Sequence, residues 1–249
     1  MSQQNKPIIF YLHFHKCGGT TINSLFKKYN KHKPNTNGNP WCKSNNKIIK
    51  FWNYKKNEFN AFKKKLNSQN IKFVAFEWNY FKYYNSIDLK NIELVVCIRE
   101  PYKRYISNMK MDNSYNMTSY NKQNLIWRRN RTNQRFNVNY NKYNYYVKML
   151  NGFGDQPDIE INRTHLEIAK KNLEKFSTIL ILENKNTFKL LEKYNIYNIT
   201  HNNQGSQSNK KIVSNFEKFK KNNKYDYELY DYAIELSRKK LDRLNPVKT

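Results

Sequence analysis

Short apolar runs alternate with amphipathic stretches along the chain, and this pattern predicts strands that alternate with helices. Residues 8–12 form an apolar run after Pro7, and residues 93–98 form a second run that is almost entirely apolar. Apolar runs of this length are typical of strands buried in a parallel sheet. Further strands are predicted at 71–76 and 178–182, and helices after residue 21, at 55–67, after Pro101, and at 140–151, 163–175, 185–194 and 225–243.

This alternation predicts the fold class. Strands connected by helices favour a three-layer, P-loop-like α/β domain, with a mainly parallel central sheet of about four to five strands flanked by helices. No internal repeat or linker interrupts the pattern, so residues 1–249 are expected to form a single domain. Polar stretches at 32–47 and 201–211 predict loops, and the basic, aromatic stretch at 113–137 predicts a lid or an acceptor-binding loop.

The net charge points to anionic partners without naming one. The chain carries 46 Lys and Arg against 19 Asp and Glu, a net charge of +27, which attracts nucleic acids, phosphate-bearing cofactors and acidic glycans. However, Lys outnumbers Arg by 37 to 9 and there are 41 Asn, an excess that an AT-rich genome would produce for any function. The charge therefore does not decide between these partners.

The apolar runs and the cysteines predict a cellular location. No run approaches the ~20 residues of a membrane span, and the first apolar stretch lacks the length and the small-residue cleavage site of a signal peptide. Three cysteines cannot form a disulfide framework, which favours reduced thiols. We therefore expect a minimal domain in a cytoplasm, of viral or AT-rich microbial origin.

A glycine-containing turn between the first strand and the next helix is a candidate anion site. Glycine lets the backbone approach a ligand closely, and amides at a helix N-terminus attract negative charge. In a Walker A loop the Lys follows the glycines, whereas here Lys16 precedes them, and no Asp ends the third strand to bind magnesium. The candidate residues are Lys16, Cys17, Gly18, Gly19, Thr20 and Thr21.

A second candidate segment follows the strand at 93–98. Arg99 lies at the carboxyl end of that strand, and Ser107 lies two turns into the next helix. Ligands of open α/β sheets bind outside the carboxyl ends of the strands. Arg99 and the Lys16 loop are therefore expected to converge on one crevice.

Together the two segments resemble the paired signature of sulfotransferases that use 3'-phosphoadenosine 5'-phosphosulfate (PAPS). The carbohydrate (heparan sulfate type) branch is the more similar one. Its loop typically reads H-x-x-K-T-G-G-T-T, and residues 13–21 match it except that Cys17 replaces a Thr. The pattern R-x-P-x-x-R-x-x-S begins at Arg99. Weaker likeness at 144–152, 169–191 and 225–233 extends the resemblance over most of the chain.

The resemblance implies an enzyme that moves a sulfuryl group from PAPS to a hydroxyl (or amine) of an acceptor, most simply a carbohydrate, without a metal. It assigns the 5'-phosphosulfate to the loop residues named above, and the 3'-phosphate to Arg99 and Ser107. It makes Arg104 a structural residue. Lys210 and Lys211, in a late basic loop, are implied as further cofactor contacts.

The acceptor needs a general base. The predicted catalytic residues are therefore Lys16 and one of two candidate bases, Glu77 or His13. Glu77 ends an apolar strand, and its aromatic neighbours could raise its pKa by desolvation. His13 is the other candidate, with His15 as a further choice, because it shares one face of the first strand with Tyr11 and His15. Packing in the core is the plainer interpretation of His13. A cluster of aromatic and cationic side chains predicts an acceptor site, with a structural lid or a nucleic-acid contact as alternatives: Trp127, Arg128, Arg129 and Arg131.

Three other functions stay open from the sequence. A kinase-like, NTP-dependent P-loop protein is disfavoured by the reversed Lys and the absent metal ligand. A nucleic-acid-binding protein has the charge, but no known nucleic-acid-binding motif. An inactive relative of the sulfotransferases is favoured by the uncertain base and disfavoured by the intact Lys16 and Arg99.

Overall fold

Four parallel strands form the centre of the molecule in the computed structural model. They are β1 (Ile8–His13), β4 (Phe73–Glu77), β5 (Ile92–Ile98) and β6 (Thr178–Ile181), in the order β4-β1-β5-β6. This confirms the predicted parallel sheet and the four predicted strands. The structure describes residues 7–26, 42–44, 47–49, 59–68, 71–77, 89–117, 143–153, 159–197, 199 and 215–244.

The strand order creates a switch point between β1 and β5. After β1 the chain forms β4 on one side of it, and then returns to form β5 on the other side. Loops leaving β1 and β5 therefore run in opposite directions and open a crevice at their carboxyl ends, where ligands of such sheets bind. The pairing of Leu12 with Val96 brings the ends of the two strands to the same level.

Helices cover both faces of the sheet, which makes three layers. One hydrophobic core lies between the sheet and a set of helices on one face; the other lies between the sheet and two helices on the opposite face. Successive side chains of β1 point to opposite faces of the sheet and so contribute to both cores: Phe10 lies in the first core and Tyr11 in the second. The first set is α2 (Phe59–Ser68), α4 (Tyr145–Asn151), α5 (Arg163–Glu174) and α7 (Lys224–Leu244), and the second is α1 (Gly19–Leu25) and a 3-10 helix (Lys185–Tyr194).

Two further helices complete the described helices: α3 (Pro101–Met117) and α6 (Phe216–Asn222). The helix predicted to begin near Pro101 is confirmed, because Pro suits the first helical turn. It continues to Met117, so the first residues of the loop predicted at 113–137 are helical. The sequence did not predict α6, whose seven residues carry three lysines and little apolar periodicity. In the part of the chain that the structure describes, no helix combines the length and the apolar character that crossing a bilayer requires.

One predicted helix has 3-10 geometry, and one predicted loop contains strands. The helix predicted at 185–194 is a 3-10 helix, in which the buried residues Phe188, Leu191 and Tyr194 recur every three positions. The loop predicted at 32–47 contains β2 (Cys42–Ser44), which pairs antiparallel with β3 (Lys47–Ile49). Strands of three residues are too short to show alternation, so the polar composition concealed them.

Side chains close the outer edge of β6. Ser237 of α7 donates a hydrogen bond to the carbonyl of Ile179 (2.7 Å), and the Ile181 amide donates to the hydroxyl of Thr187 (3.0 Å). The Ile181 carbonyl accepts from the amide of Asn184 (2.9 Å). Three backbone groups of this edge strand, the Ile179 carbonyl and the Ile181 amide and carbonyl, thus have partners outside the sheet.

Candidate active site

The loop after β1 holds its backbone in a strained shape. Lys16 has a φ of 64°, in the left-handed region that residues with a side chain rarely adopt, and Gly18 has a φ of 75°. Such conformations concentrate at functional sites. A turn precedes them, since the Cys17 amide donates to the Phe14 carbonyl (3.1 Å).

After this turn, four consecutive amides have no backbone acceptor among the described residues. They belong to Gly18, Gly19, Thr20 and Thr21, which lead into α1. The side chain of Thr20 is exposed and that of Thr21 is buried. The four amides are therefore the donors that the loop can offer to an anion.

His13 lies directly beneath the start of α1. A Cβ built on Gly19 would come within 1.8 Å of His13 Nε2, so only glycine fits there. The imidazole is 5% exposed and stacks on Tyr11, with ring centroids 5.4 Å apart. Burial, and then the charge of Lys16, lower the pKa of His13 to about 3. A neutral imidazole packed in this way holds the loop against the strand and is a weak base.

Cys17 faces the protein interior. Its thiol lies 3.3 Å from the hydroxyl of Tyr146, and burial raises its pKa to about 11. Its carbonyl accepts from the hydroxyl of Tyr11 (3.4 Å), and its amide is used within the turn. The structure therefore places Cys17 in the packing of the loop, and its role as a cofactor contact stays a prediction.

Arg99 joins the two predicted segments. From the end of β5, its Nη1 donates to the carbonyl of Lys16 (3.4 Å). Its Nε lies 3.6 Å from Oε1 of Glu183, which follows β6. Lys16 and Arg99 thus lie together at the switch point of the sheet.

Tyr146 of α4 connects the same two loops from below. Its hydroxyl donates to the Arg99 carbonyl (2.6 Å) and accepts from the Arg99 amide (3.2 Å), in addition to its contact with Cys17. Asp226 of α7 fixes Tyr146 in turn, because its buried carboxylate accepts from the amides of Tyr146 (3.1 Å) and Val147 (3.0 Å). Burial raises the pKa of Asp226 to about 6.

The beginning of α3 is built around a buried arginine. Arg104 is 2% exposed and its guanidinium lies 4.0 Å from the ring centroid of Tyr145, which fits the structural role predicted for it. The carboxylate of Glu100 accepts from the amides of Tyr102 (3.1 Å) and Lys103 (2.7 Å), so the protein itself caps this helix.

Ser107 is half-buried on the same helix. Within the described residues its hydroxyl makes no hydrogen bond to Lys16 or Arg99. Instead, its neighbour Asn108 contacts the first loop through a hydrogen bond to the side chain of His15. The role predicted for Ser107 stays a prediction.

The other predicted residues stand as follows. The backbone of Glu77 pairs with His13, so Glu77 ends its strand beside the crevice. Its catalytic role stays a prediction. The remaining candidates lie outside the described residues: Trp127, Arg128, Arg129, Arg131, Lys210 and Lys211.

Sequence analysis missed three residues of this site: Tyr146, Glu183 and Asp226. Glu183 had a usable signal, since it follows a predicted parallel strand as Arg99 does. Tyr146 and Asp226 had none, because an aromatic residue and an acid near helix starts are ordinary features of a core and a helix cap.

The arrangement offers an anion two groups of donors that lie close together. They are the open amides that follow Lys16 and the guanidinium of Arg99, which contacts the Lys16 carbonyl. The positive surroundings are strong enough that Lys16 helps to lower the pKa of both His13 and His15, after burial. Among the described residues, no group of three His, Cys, Asp or Glu side chains is arranged to hold a metal ion.

Comparison with known proteins adds no relative. No protein-family model matches the chain, and a search of curated proteins finds no significant match.

Proposed function

We propose that this protein is a PAPS-dependent sulfotransferase that acts on a hydroxyl (or amine) of a carbohydrate acceptor. One observation carries the proposal: the Lys16 loop and Arg99, which resemble the two cofactor-binding motifs of that family, lie together at the switch point of a parallel sheet. The fold brings any residues after these two strands together, so the support lies in the types of residue found there: a lysine with open amides and an arginine, all suited to an anion.

The residues at the crevice fit the charges of PAPS. The cofactor carries a phosphosulfate at the 5' position and a phosphate at the 3' position. The amides of residues 18–21 and the ammonium group of Lys16 suit the first group. Arg99 suits the second, because a guanidinium binds phosphate through several parallel hydrogen bonds.

The chemistry requires these residues to stabilise a leaving group. PAPS supplies a sulfuryl group that moves in line from its phosphate oxygen to the acceptor oxygen. Lys16 stabilises the negative charge that develops on the bridging oxygen of the phosphate. The acceptor proton passes to a base, for which we propose Glu77, because His13, with a pKa near 3, binds a proton too weakly.

Thermal melts with the product 3'-phosphoadenosine 5'-phosphate (PAP) test the cofactor. A ligand at 100 times its Kd stabilises a protein by about 2.7 kcal/mol, or roughly 5–10 °C for a domain of this size. We expect this shift with PAP, and its loss in Lys16→Ala and Arg99→Ala. Lys171→Ala, which removes an exposed lysine on α5, should retain it.

Parallel melts with ATP and magnesium and with a short DNA duplex separate the alternatives. A shift with either of these, and none with PAP, would contradict the proposal. If PAP binds, labelled PAPS and a panel of glycans then identify the acceptor.

A further inference from the structure

Glu183 and Arg99 occupy equivalent positions on neighbouring strands. Each follows the carboxyl end of its strand, and β5 and β6 are paired up to Ile98 and Ile181. Their side chains are only 27% and 24% exposed, and Nε and Oε1 lie 3.6 Å apart. The pair is sheltered at its Arg99 end, where Nε is buried, whereas Glu183 as a whole residue is exposed.

The Glu183 carboxylate is itself held in place. Its Oε2 accepts from the amide of Glu100 (3.2 Å) and from the hydroxyl of Tyr230 (3.2 Å). Burial and the negative charge of Glu183 raise the pKa of Tyr230, so that this hydroxyl keeps its proton and remains a donor. Glu183 is thus anchored to the backbone before α3 and to the long helix α7.

Two contacts orient the guanidinium of Arg99. Nη1 donates to the Lys16 carbonyl (3.4 Å), and the buried Nε, which makes no hydrogen bond, faces the Glu183 carboxylate in an ion pair (3.6 Å). Among the described residues, Nη2 has no partner. A guanidinium is planar and rigid, so a hydrogen bond at Nη1 and an attraction at Nε together bias the direction in which Nη2 points.

We propose that Glu183 is a positioning residue for Arg99. It holds the guanidinium so that its free edge faces a phosphate in the crevice, and it thereby makes the site select ligands that carry this phosphate. The inference rests on the proposed function, in which the group is the 3'-phosphate of PAPS. The Glu183 carboxylate would repel an anionic ligand that came close to it. However, it faces Nε of Arg99, whereas the phosphate would bind at Nη2.

Titration calorimetry with PAP and with AMP, which lacks the 3'-phosphate, tests this role. Glu183→Gln keeps the shape of the side chain and removes its charge. We expect its Kd for PAP to rise about tenfold while its Kd for AMP changes less than twofold. Tyr230→Phe, which only loosens Glu183, should weaken PAP binding by a smaller factor, and Glu192→Gln, an exposed glutamate on the 3-10 helix, should leave both constants unchanged.

Each other outcome is distinct. Equal or tighter PAP binding by Glu183→Gln would overturn the positioning role, because the carboxylate would then act as a spectator or as a competitor of the phosphate. Equal loss of PAP and AMP binding would also overturn it, since general damage to the crevice does not discriminate between the ligands. If the unaltered protein binds neither ligand, the proposed function fails first, and the positioning role with it.

Discussion

The contact between Gly19 and His13 sets the shape of the candidate loop at the scale of single residues. His13 is the last residue of β1, and its buried ring fills the space where a side chain of Gly19 would lie. The chain can therefore enter α1 close to the strand, which keeps the four open amides near the carboxyl end of the sheet. Lys16, in its left-handed conformation, lies within the same turn.

Replacing Gly19 tests this fit. Gly19→Ala should lower the free energy of unfolding by about 1–3 kcal/mol, because overpacking forces the ring of His13 or the loop to move. Urea denaturation measures the change. Thr20→Ala, at an exposed neighbouring position, should cost less than about 0.5 kcal/mol.

A double variant identifies the cause. In a His13→Ala background the ring is absent, so adding Gly19→Ala should cost distinctly less than it does alone. If the two losses were simply additive, the crowding of His13 would not explain the requirement for glycine.

The short helix α4 connects the two ligand loops at the scale of elements. Tyr145 and Tyr146 at its start contact both of them: the Tyr145 hydroxyl accepts from the amide of His15 (3.0 Å), and Tyr146 binds Cys17 and Arg99. Asp226 attaches this helix to α7. The geometry of the crevice thus depends on helices that do not line it.

Removing one hydroxyl tests the connection. Tyr146→Phe leaves the ring in the core but leaves the Arg99 amide and carbonyl without this partner, at a cost of about 1–3 kcal/mol in unfolding free energy. Its PAP affinity should fall as well, because Arg99 loses its anchor. Tyr197→Phe, at an exposed position, is the control for both measurements, and an unchanged stability of Tyr146→Phe would contradict the expectation.

The residues of this site that directly follow a strand could be predicted from the sequence. Lys16 and Arg99 could be placed together because both follow apolar runs, and parallel strands end at one edge. Tyr146 could not be placed, since it lies 129 residues from Cys17 and resembles any buried aromatic residue. The 3-10 geometry of 185–194 was missed because a three-residue repeat resembles a helical one over ten residues.

Buried titratable groups of opposite behaviour govern the pH dependence of stability at the scale of the whole molecule. His13, with a pKa near 3, and His15, whose pKa burial also lowers, stabilise the fold above pH 6.5. For His13 that stability is lost as the pH falls from 6.5 toward 3, because the native state resists protonation, and His15 acts in the same direction. Asp226 acts in the other direction, since its raised pKa favours the protonated native state below pH 3.8, an advantage lost as the pH rises through 6.

Asp226→Asn isolates the second contribution. The stability advantage of the unaltered protein over this variant should be about 2–3 kcal/mol larger near pH 4 than near pH 7, because two pKa units correspond to roughly that energy. Chemical denaturation across this range measures it. Asp242→Asn, an exposed residue of the same helix, should show no such trend, and a constant difference for Asp226→Asn would refute the assigned sign.

The side chains that close the edge of β6 also limit how the protein can assemble incorrectly. A foreign strand that docked there would need the Ile179 carbonyl and the Ile181 amide and carbonyl, which already bind Ser237, Thr187 and Asn184. It would have to displace the C-terminal helix and break these hydrogen bonds before gaining any of its own. Strand exchange or fibrillar growth from the folded state is therefore directed away from this side of the sheet, and unfolding of α7 becomes the step that would expose it.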